Sequence, residues 1–218
     1  MSEIVLMSDP RVAAVPVEEC GEALVDVRRG RLLLVDERKL HDSAGAFAYL
    51  RGGVLDRLLE AQEQLPTGLR LLFVEGYRPP SLQRRYFDDY AAQLRAGQPQ
   101  WSAEQVRSAA SRYVSPPETA PHSAGAAVDL TLADDEGREL DMGTPMNATP
   151  EESAGACYTQ AGDISAEARS HRDILSSALT AVGLVNYPTE WWHWSYGDRY
   201  WALETGAAVA RYGPRELG

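Results

Sequence analysis

The sequence predicts an α+β fold in which a small antiparallel sheet is flanked by helices. Short apolar runs typical of buried strands alternate with segments in which apolar residues recur at helical spacing. These segments follow one another without a repeated strand–helix–strand unit, which disfavours a doubly wound parallel sheet. The chain has 218 residues, 44% of them hydrophobic, which is enough to form a core, and we expect a single domain over residues 1–218.

The first half of the chain is predicted to form two strands and three helices. The strands cover residues 31–36 and 69–75, and the helices cover residues 44–65, 80–95 and 102–113. The pair Gly52-Gly53 weakens the first of these helices, which therefore begins either at residue 44 or at the glycine pair. Pro80 suits the first turn of the second helix, Gly97 suits its end, and Ser102 suits the N-cap of the third.

The second half is predicted to contain three strand segments, two helices and a long loop. Strands are expected at residues 126–132 and 138–142, and residues 184–196 form either one strand or a hairpin. Helices are expected at residues 166–182 and 198–204. Residues 143–162 are rich in proline, glycine, serine and threonine and are predicted to form a loop. Loops of this length inside a domain often cover active sites.

Charge and composition exclude several classes of partner. Lysine and arginine total 21 against 32 aspartates and glutamates, which gives a net charge of −11. An acidic chain of this kind disfavours nucleic acid and an anionic membrane surface. No apolar run has the length of a membrane span, and the start of the chain lacks the features of a signal peptide, so we expect a cytoplasmic protein. The sequence is also compatible with a homo-oligomer, and with one disulfide between Cys20 and Cys157.

Two short segments supply groups that can bind a catalytic metal. His122 and Asp129 lie seven residues apart in PHSAGAAVDL, and EWWH places Glu190 three residues before His193. Together they provide three ligands and one free carboxylate, which is the set that catalytic zinc needs beside an open position for water. The alternatives are a surface histidine for His122, backbone hydrogen bonds for Asp129, and a satisfied core histidine for His193.

The EWWH segment sets a geometric condition for this hypothesis. In a regular strand, Glu190 and His193 would face opposite sides. Both reach one metal only if the backbone bulges or turns near Trp191. The surrounding tryptophans provide apolar walls that would raise the pKa of Glu190 and suit it to act as a base near neutral pH.

Arg78 follows the end of the strand predicted at residues 69–75, where side chains emerge into a cleft. An arginine there would stabilise an oxyanion that forms when a carbonyl is attacked. The alternative is a surface arginine paired with Glu75. The two remaining histidines, His41 and His171, lack matching partners in the sequence, and we expect both to be structural or exposed.

These segments resemble the D-alanyl-D-alanine dipeptidases of the VanX type, in zinc peptidase family M15. The wider group includes zinc D,D-carboxypeptidases and hedgehog-like folds. The resemblance is carried by four segments in the family's order, Gly76-Tyr77-Arg78-Pro79, His122 to Leu132, Leu140-Asp141-Met142-Gly143-Thr144 and Glu190-Trp191-Trp192-His193. Each segment is weak alone, whereas the ordered set is specific and spans over half of the chain.

The resemblance implies a role for each of these residues. It implies one zinc ion per chain held by His122, Asp129 and His193. It also implies that Glu190 acts as the general base and that Arg78 stabilises the transition state. The fold it implies is that of the hedgehog and D,D-peptidase group, in agreement with the α+β pattern.

The resemblance further implies a small dipeptide substrate, D-Ala-D-Ala or a close relative, whose amino end is bound near Asp141. Relatives often place two hydroxyl residues before the first zinc histidine, where this chain has Ala120 and Pro121, so a different small dipeptide is an alternative. The associated roles are antibiotic resistance, D-alanine salvage and peptidoglycan turnover. Two other functions stay open: a D,D- or L,D-carboxypeptidase acting on peptidoglycan peptides, and a non-catalytic binding module that retains the metal.

Overall fold

A computed structural model describes residues 4–29, 33–36, 38 and 44–217 of the chain. Within these residues there are seven strands and six α-helices. The strands are β1 (Leu24–Asp26), β2 (Leu34–Val35), β3 (Tyr49–Arg51), β4 (Leu69–Glu75), β5 (Ala127–Asp134), β6 (Val185–Asn186) and β7 (His193–Ser195). The helices are α1 (Pro10–Ala14), α2 (Gly52–Glu63), α3 (Pro80–Gly97), α4 (Ala103–Ala110), α5 (Ala166–Ala181) and α6 (Arg199–Thr205).

The main sheet has the strand order β2-β4-β5-β7-β6. β2 and β4 are parallel, and every other neighbouring pair is antiparallel. β1 and β3 form a separate antiparallel pair. The helices lie around these sheets, and α5 contacts both α2 and β5. The α+β prediction with a small antiparallel sheet is therefore confirmed, and β2 is the one parallel addition to it.

Local signals in the sequence explain most of the helix boundaries. α3 begins at Pro80 and ends at Gly97, as predicted. The side chain of Ser102 caps α4 and forms a capping box with Gln105. The side chain of Ser165 caps α5 in the same way, by accepting a hydrogen bond from the amide of Ala168.

The helix predicted over residues 44–65 begins at the later of its two predicted starts. Residues Ala46–Ala48 form a 3₁₀ helix, β3 follows, and α2 begins at Gly52, which confirms the alternative start at the glycine pair. Arg51, the last residue of β3, is fully buried, and its guanidinium donates to Glu19 and to the carbonyl of Ala124. This arginine ties β3 to the segment that carries His122.

The prediction of a strand over residues 138–142 is wrong. The segment makes only an isolated bridge between Glu139 and Ala133 of β5. It leaves the sheet after Leu140 because the carbonyl of Met142 accepts a hydrogen bond from Arg172 of α5 instead. The hairpin alternative for residues 184–196 is confirmed by the antiparallel pairing of β6 with β7.

Several smaller predictions are also resolved by the structure. Cys20 is an exposed free thiol and Cys157 a buried one, so they form no disulfide with each other. No helix among the described residues has the length and apolar character needed to cross a membrane. His41 lies outside the described residues, as do residues 31 and 32 of the strand predicted over residues 31–36. The single-domain assignment, the cytoplasmic location and a homo-oligomer stay predictions.

Candidate active site

The sheet brings His122, Asp129 and His193 together at one point. Asp129 of β5 lies directly opposite His193 of β7 in the antiparallel register, and His122 belongs to the 3₁₀ helix that precedes β5. The Nδ1 atom of His193 lies 3.1 Å from Asp129 Oδ1 and 3.2 Å from His122 Nε2. His122 Nε2 lies 3.4 Å from Asp129 Oδ1. All three side chains are buried.

This spacing matches what a tetrahedral zinc site requires. With ligand bonds of about 2.0–2.1 Å, two ligands of a tetrahedral ion lie about 3.3 Å apart. The three observed distances of 3.1, 3.2 and 3.4 Å bracket that value. Two imidazoles and one carboxylate are also typical donors of catalytic zinc, which keeps a fourth position open. The residues therefore fit a zinc ion.

The backbone fixes which nitrogen of His122 faces this point. Nδ1 of His122 lies 2.6 Å from the carbonyl oxygen of Gly76, which can only accept a hydrogen bond. The proton is therefore on Nδ1, and Nε2 offers its lone pair to a metal. Gly76 is required at this place because a Cβ there would lie 2.4 Å from the carbonyl oxygen of Tyr49.

Glu190 lies in the turn between β6 and β7, close to the ligands. Its amide donates to the carbonyl of Tyr187 at 2.9 Å, and the amide of His193 donates to the carbonyl of Glu190 at 3.3 Å. The backbone thus turns near Trp191, which meets the geometric condition set by the sequence. Glu190 Oε2 lies 3.8 Å from His193 Nδ1, so both side chains face the same point.

The environment of Glu190 favours a carboxyl group that holds a proton more tightly than usual. The side chain is buried and lines the cleft together with Trp192. Burial raises the pKa of Glu190 well above its ordinary value of 4.5, the negative charge of Asp129 raises it further, and Arg78 opposes the shift. A carboxylate with a raised pKa is suited to exchange protons near neutral pH.

Arg78 lies in the same cleft, at the end of β4. Its Nε donates to Glu75 Oε1 at 2.8 Å, its Nη1 donates to Gln83 Oε1 at 2.9 Å, and its guanidinium packs over the ring of Tyr86. Burial opposes the charge, but the carboxylates of Glu75 and Asp129 raise the pKa of Arg78 above its usual range. Arg78 is therefore a fixed positive charge in the cleft wall, and the pairing with Glu75 is buried and not on the surface.

Asp141 is not brought to this cleft. It is exposed, and its Oδ1 accepts a hydrogen bond of 2.7 Å from the amide of Gly143. Its carbonyl lies 2.7 Å from Nδ1 of His171 on α5, which gives that histidine a structural contact away from the other candidate residues. The family resemblance suggested Asp141 because of its sequence motif, but the side chain is exposed and does not line the cleft.

The cleft has a volume of about 540 Å³ and extends from the three ligands to α3 and to the loop predicted at residues 143–162. That loop contributes Asn147, Thr149 and Glu152 to the lining, as expected for an active-site cover. The lining also includes Tyr90 of α3 and Tyr113. Sequence reasoning missed these five residues, because no local motif distinguishes them from other polar or aromatic side chains.

The covering loop is attached to α5 by a buried cation. Arg172 donates to the carbonyls of Met142 and Tyr158 at 2.7 Å each, and to that of Ala156 at 2.9 Å. Its guanidinium also lies over the ring of Trp191, at 5.7 Å from the centroid. Burial lowers the pKa of Arg172 to about 10. One side chain thus connects both ends of the loop to the turn that carries Glu190.

We expect Arg172→Leu to lower the free energy of unfolding by about 3 kcal/mol or more, because three carbonyls lose their donor and each orphaned group costs about 1–3 kcal/mol. Urea denaturation measures the change. Arg84→Leu, at an exposed position of α3, is the matched control and is expected to change stability by less than about 0.5 kcal/mol. A loss below about 1 kcal/mol for Arg172→Leu would show that the loop is held by other contacts.

Comparison with known proteins identifies the family. The peptidase M15 family model, described as D-ala-D-ala dipeptidase, matches residues 53–208. The chain belongs to this family. The match includes all six candidate residues, namely Arg78, His122, Asp129, Asp141, Glu190 and His193. Family membership confirms the resemblance seen in the sequence and makes the protein a metallopeptidase.

Two relatives with similar sequences agree with this assignment. A D-alanyl-D-alanine dipeptidase of Synechocystis is 30% identical over 224 aligned residues, which cover 88% of each chain. A D-alanyl-D-alanine dipeptidase of Escherichia coli is 36% identical over 72 residues, which cover 33% of this chain and 35% of that protein. Among solved structures, the LD-carboxypeptidase LdcB aligns with 18% identity and a TM-score of 0.45, over 88% of this chain and 76% of its own.

Proposed function

We propose that this protein is a zinc-dependent dipeptidase that hydrolyses D-Ala-D-Ala or a closely related small dipeptide. The observation that carries the proposal is the placement of three ligand atoms 3.1–3.4 Å apart, with the Glu190 carboxylate 3.8 Å from His193, in a chain of the D-ala-D-ala dipeptidase family. His122, Asp129 and His193 would hold one zinc ion per chain.

Each group in the cleft has a distinct part in the proposed reaction. A zinc ion, when bound, supplies a Lewis acid that polarises the scissile carbonyl and acidifies water. Glu190 takes a proton from the water that attacks the carbonyl carbon, and it delivers that proton to the amide nitrogen as the C–N bond breaks. Arg78 supplies a positive charge in the cleft wall for the oxygen that becomes negative. The products are two free amino acids.

The environment of each group supports its part. The pKa of Glu190 is raised by burial, so its carboxylate accepts a proton more readily than an exposed glutamate. The bonds from Arg78 to Glu75 and Gln83 keep its guanidinium in one orientation before substrate binds, so its charge needs little rearrangement during the reaction. The loop that supplies Asn147 and Glu152 lines the cleft and contacts α3, where the hydroxyl of Tyr90 donates to Glu151 at 2.6 Å, and a cleft bounded in this way favours a short substrate.

The test is an assay of peptide hydrolysis by the zinc-loaded protein. The substrates are D-Ala-D-Ala, D-Ala-L-Ala, L-Ala-D-Ala and a tripeptide that ends in D-Ala-D-Ala, and the quantity measured is free D-alanine. We expect cleavage of one or more dipeptides and at least about 100-fold slower cleavage of the tripeptide, a difference of about 2.7 kcal/mol in transition-state stabilisation. Removal of the metal by a chelator should abolish activity, and added zinc should restore it.

The other outcomes separate the alternatives. Equal cleavage of the tripeptide would identify a carboxypeptidase acting on longer peptidoglycan peptides. If the protein binds one zinc ion but cleaves none of the four peptides, the result would favour the non-catalytic binding module. Activity that persists without metal would contradict the proposed mechanism.

A further inference from the structure

The tip of the covering loop is a preformed turn. The amide and the hydroxyl of Thr149 donate to Glu152 Oε2 at 3.2 and 3.0 Å, and the amide of Glu152 donates to the hydroxyl of Thr149 at 3.1 Å. This reciprocal pattern is that of a capping box, which fixes the backbone between its two partners. Glu151 lies inside the turn and is exposed. Its carboxylate is therefore available for contacts outside the loop.

Glu151 connects this tip to α3 and to the segment after α4. The hydroxyl of Tyr90 on α3 donates to Glu151 Oε2 at 2.6 Å, and Nη2 of Arg112 donates to Oε1 at 3.4 Å. Burial, followed by the bond to Glu151, raises the pKa of Tyr90, so its hydroxyl stays protonated and acts as the donor. We call the contacts of Glu151 with Tyr90 and Arg112 the Glu151 latch.

The latch is part of the cleft wall. Tyr90 lines the cleft from α3, and Thr149 and Glu152, on either side of Glu151 in the chain, line it from the loop. The ring of Tyr90 also packs edge to face on Tyr113, a further lining residue, with 5.1 Å between the ring centroids. The bond between Tyr90 and Glu151 therefore joins two walls of the cleft.

The cleft continues along α3 on both sides of Tyr90. Tyr86, one helical turn before it, lies next to the catalytic groups, because the guanidinium of Arg78 is 5.2 Å from the centroid of its ring. Gln93 also lines the cleft and lies about 4.5 Å beyond Tyr90 along the helix axis. An additional residue lengthens an extended peptide by about 3.3–3.6 Å. Along α3 the latch thus lies between the Arg78 side and a distal part long enough for one more residue.

We propose that the Glu151 latch sets the length of the peptide that the cleft accepts. With the latch closed, the space beside Arg78 fits a dipeptide and is separated from the distal part at Gln93. With the latch open, the same cleft accepts a peptide that is one residue longer. Tyr90 and Glu151 are specificity-determining residues and take no part in the chemistry. The inference rests on the proposed function, and it names the contact that separates a dipeptidase from a carboxypeptidase.

The contacts of the latch allow it to open. The side chains of Arg112 and Glu151 are 33% and 46% exposed, and ion pairs at such positions contribute little to stability. The remaining contact is the single bond from Tyr90. The ends of the loop are instead held by the three carbonyl bonds of the buried Arg172. Opening therefore moves the tip while the base of the loop stays in place, as in other lids over active sites.

The test compares kcat/KM for D-Ala-D-Ala and for the tripeptide that ends in D-Ala-D-Ala. Tyr90→Phe removes only the hydroxyl and keeps the ring that packs on Tyr113. We expect the preference for the dipeptide, as the ratio of the two kcat/KM values, to fall about 10-fold in this variant, near the lower end of what a hydrogen bond to a charged group contributes. The fall should come from faster cleavage of the tripeptide. A merely structural defect would lower both rates together.

Two further variants serve as controls. Tyr212→Phe removes another hydroxyl that donates to a glutamate, Glu22, and neither of these residues lines the cleft. Its preference should stay within about twofold of the wild type. The double variant Tyr90→Phe/Glu151→Gln should have the preference of Tyr90→Phe alone, because both substitutions act on the same bond.

Several results would overturn the proposal. A preference within twofold of the wild type in Tyr90→Phe would exclude the latch as the determinant of length, as would equal cleavage of both peptides by the wild type. If Tyr90→Phe does not fold, Glu151→Gln, at an exposed position, gives the same comparison.

Failure of the proposed function is distinguishable from failure of the latch. A wild type that cleaves neither peptide refutes the dipeptidase, and the affinities of the same two peptides, measured by calorimetry, then decide the latch. Tyr90→Phe should bind the tripeptide more tightly relative to the dipeptide than the wild type does. An unchanged ratio of the two affinities would refute the latch as well.

Discussion

Glu190→Gln is expected to lower kcat for dipeptide hydrolysis by about 10²–10⁴-fold, the usual contribution of a positioned acid–base group. Glutamine has nearly the same size as glutamate, but it cannot take a proton from water or return one to the leaving amine. The zinc ligands are untouched, so metal content should stay at one ion per chain. The measurement combines steady-state kinetics with metal analysis of the same samples.

A matched control is available on the surface. Glu60 is an exposed residue of α2 that does not line the cleft, and Glu60→Gln removes the same charge there. We expect its kcat to stay within about twofold of the wild type, as is usual for a substitution away from a site. Wild-type activity in a zinc-loaded Glu190→Gln variant would show that another group is the base. Loss of zinc in that variant would show that Glu190 acts as a ligand.

The position of Glu190 shows which part of the candidate site could be predicted from the sequence. The spacing of Glu190 and His193 is incompatible with a regular strand if both are to reach one metal, so the sequence required a turn near Trp191. The structure has this turn, because β6 pairs with β7 and residues between them close the hairpin. The sequence could predict this turn because it concerns residues that are neighbours in the chain, for which backbone geometry allows few conformations.

The ligand cluster was predictable for a related reason. Apolar runs identified the strands that carry Asp129 and His193, and capping residues identified the ends of the long helices. A buried carboxylate inside an apolar strand needs a partner, and the chain has few histidines to supply one. The strand register then places the two side chains opposite each other.

Non-local contacts were not predictable. Arg172 has the appearance of a surface residue on an amphipathic helix, yet it is buried and holds three loop carbonyls. For the same reason the strand predicted at residues 138–142 does not form, since Met142 is bound by Arg172 instead of by the sheet. Asn147 and Glu152 reach the cleft through the path of a loop whose sequence gives no periodic signal.

His193→Ala is expected to abolish stoichiometric zinc binding. The substitution removes one of three ligands and leaves the buried carboxylate of Asp129 with one imidazole fewer beside it. The loss of affinity should exceed the roughly 100-fold that removal of an outer hydrogen-bond partner of a metal ligand can cause. His122→Ala is expected to have the same effect, since its Nε2 completes the cluster. Metal analysis after dialysis against a defined free zinc concentration measures both.

His171→Ala is the control for this experiment. His171 lies on α5 and contacts the carbonyl of Asp141, outside the cleft, so one zinc ion per chain should remain. Full zinc content in His193→Ala would refute the ligand assignment, because two remaining ligands cannot hold a catalytic zinc that needs three.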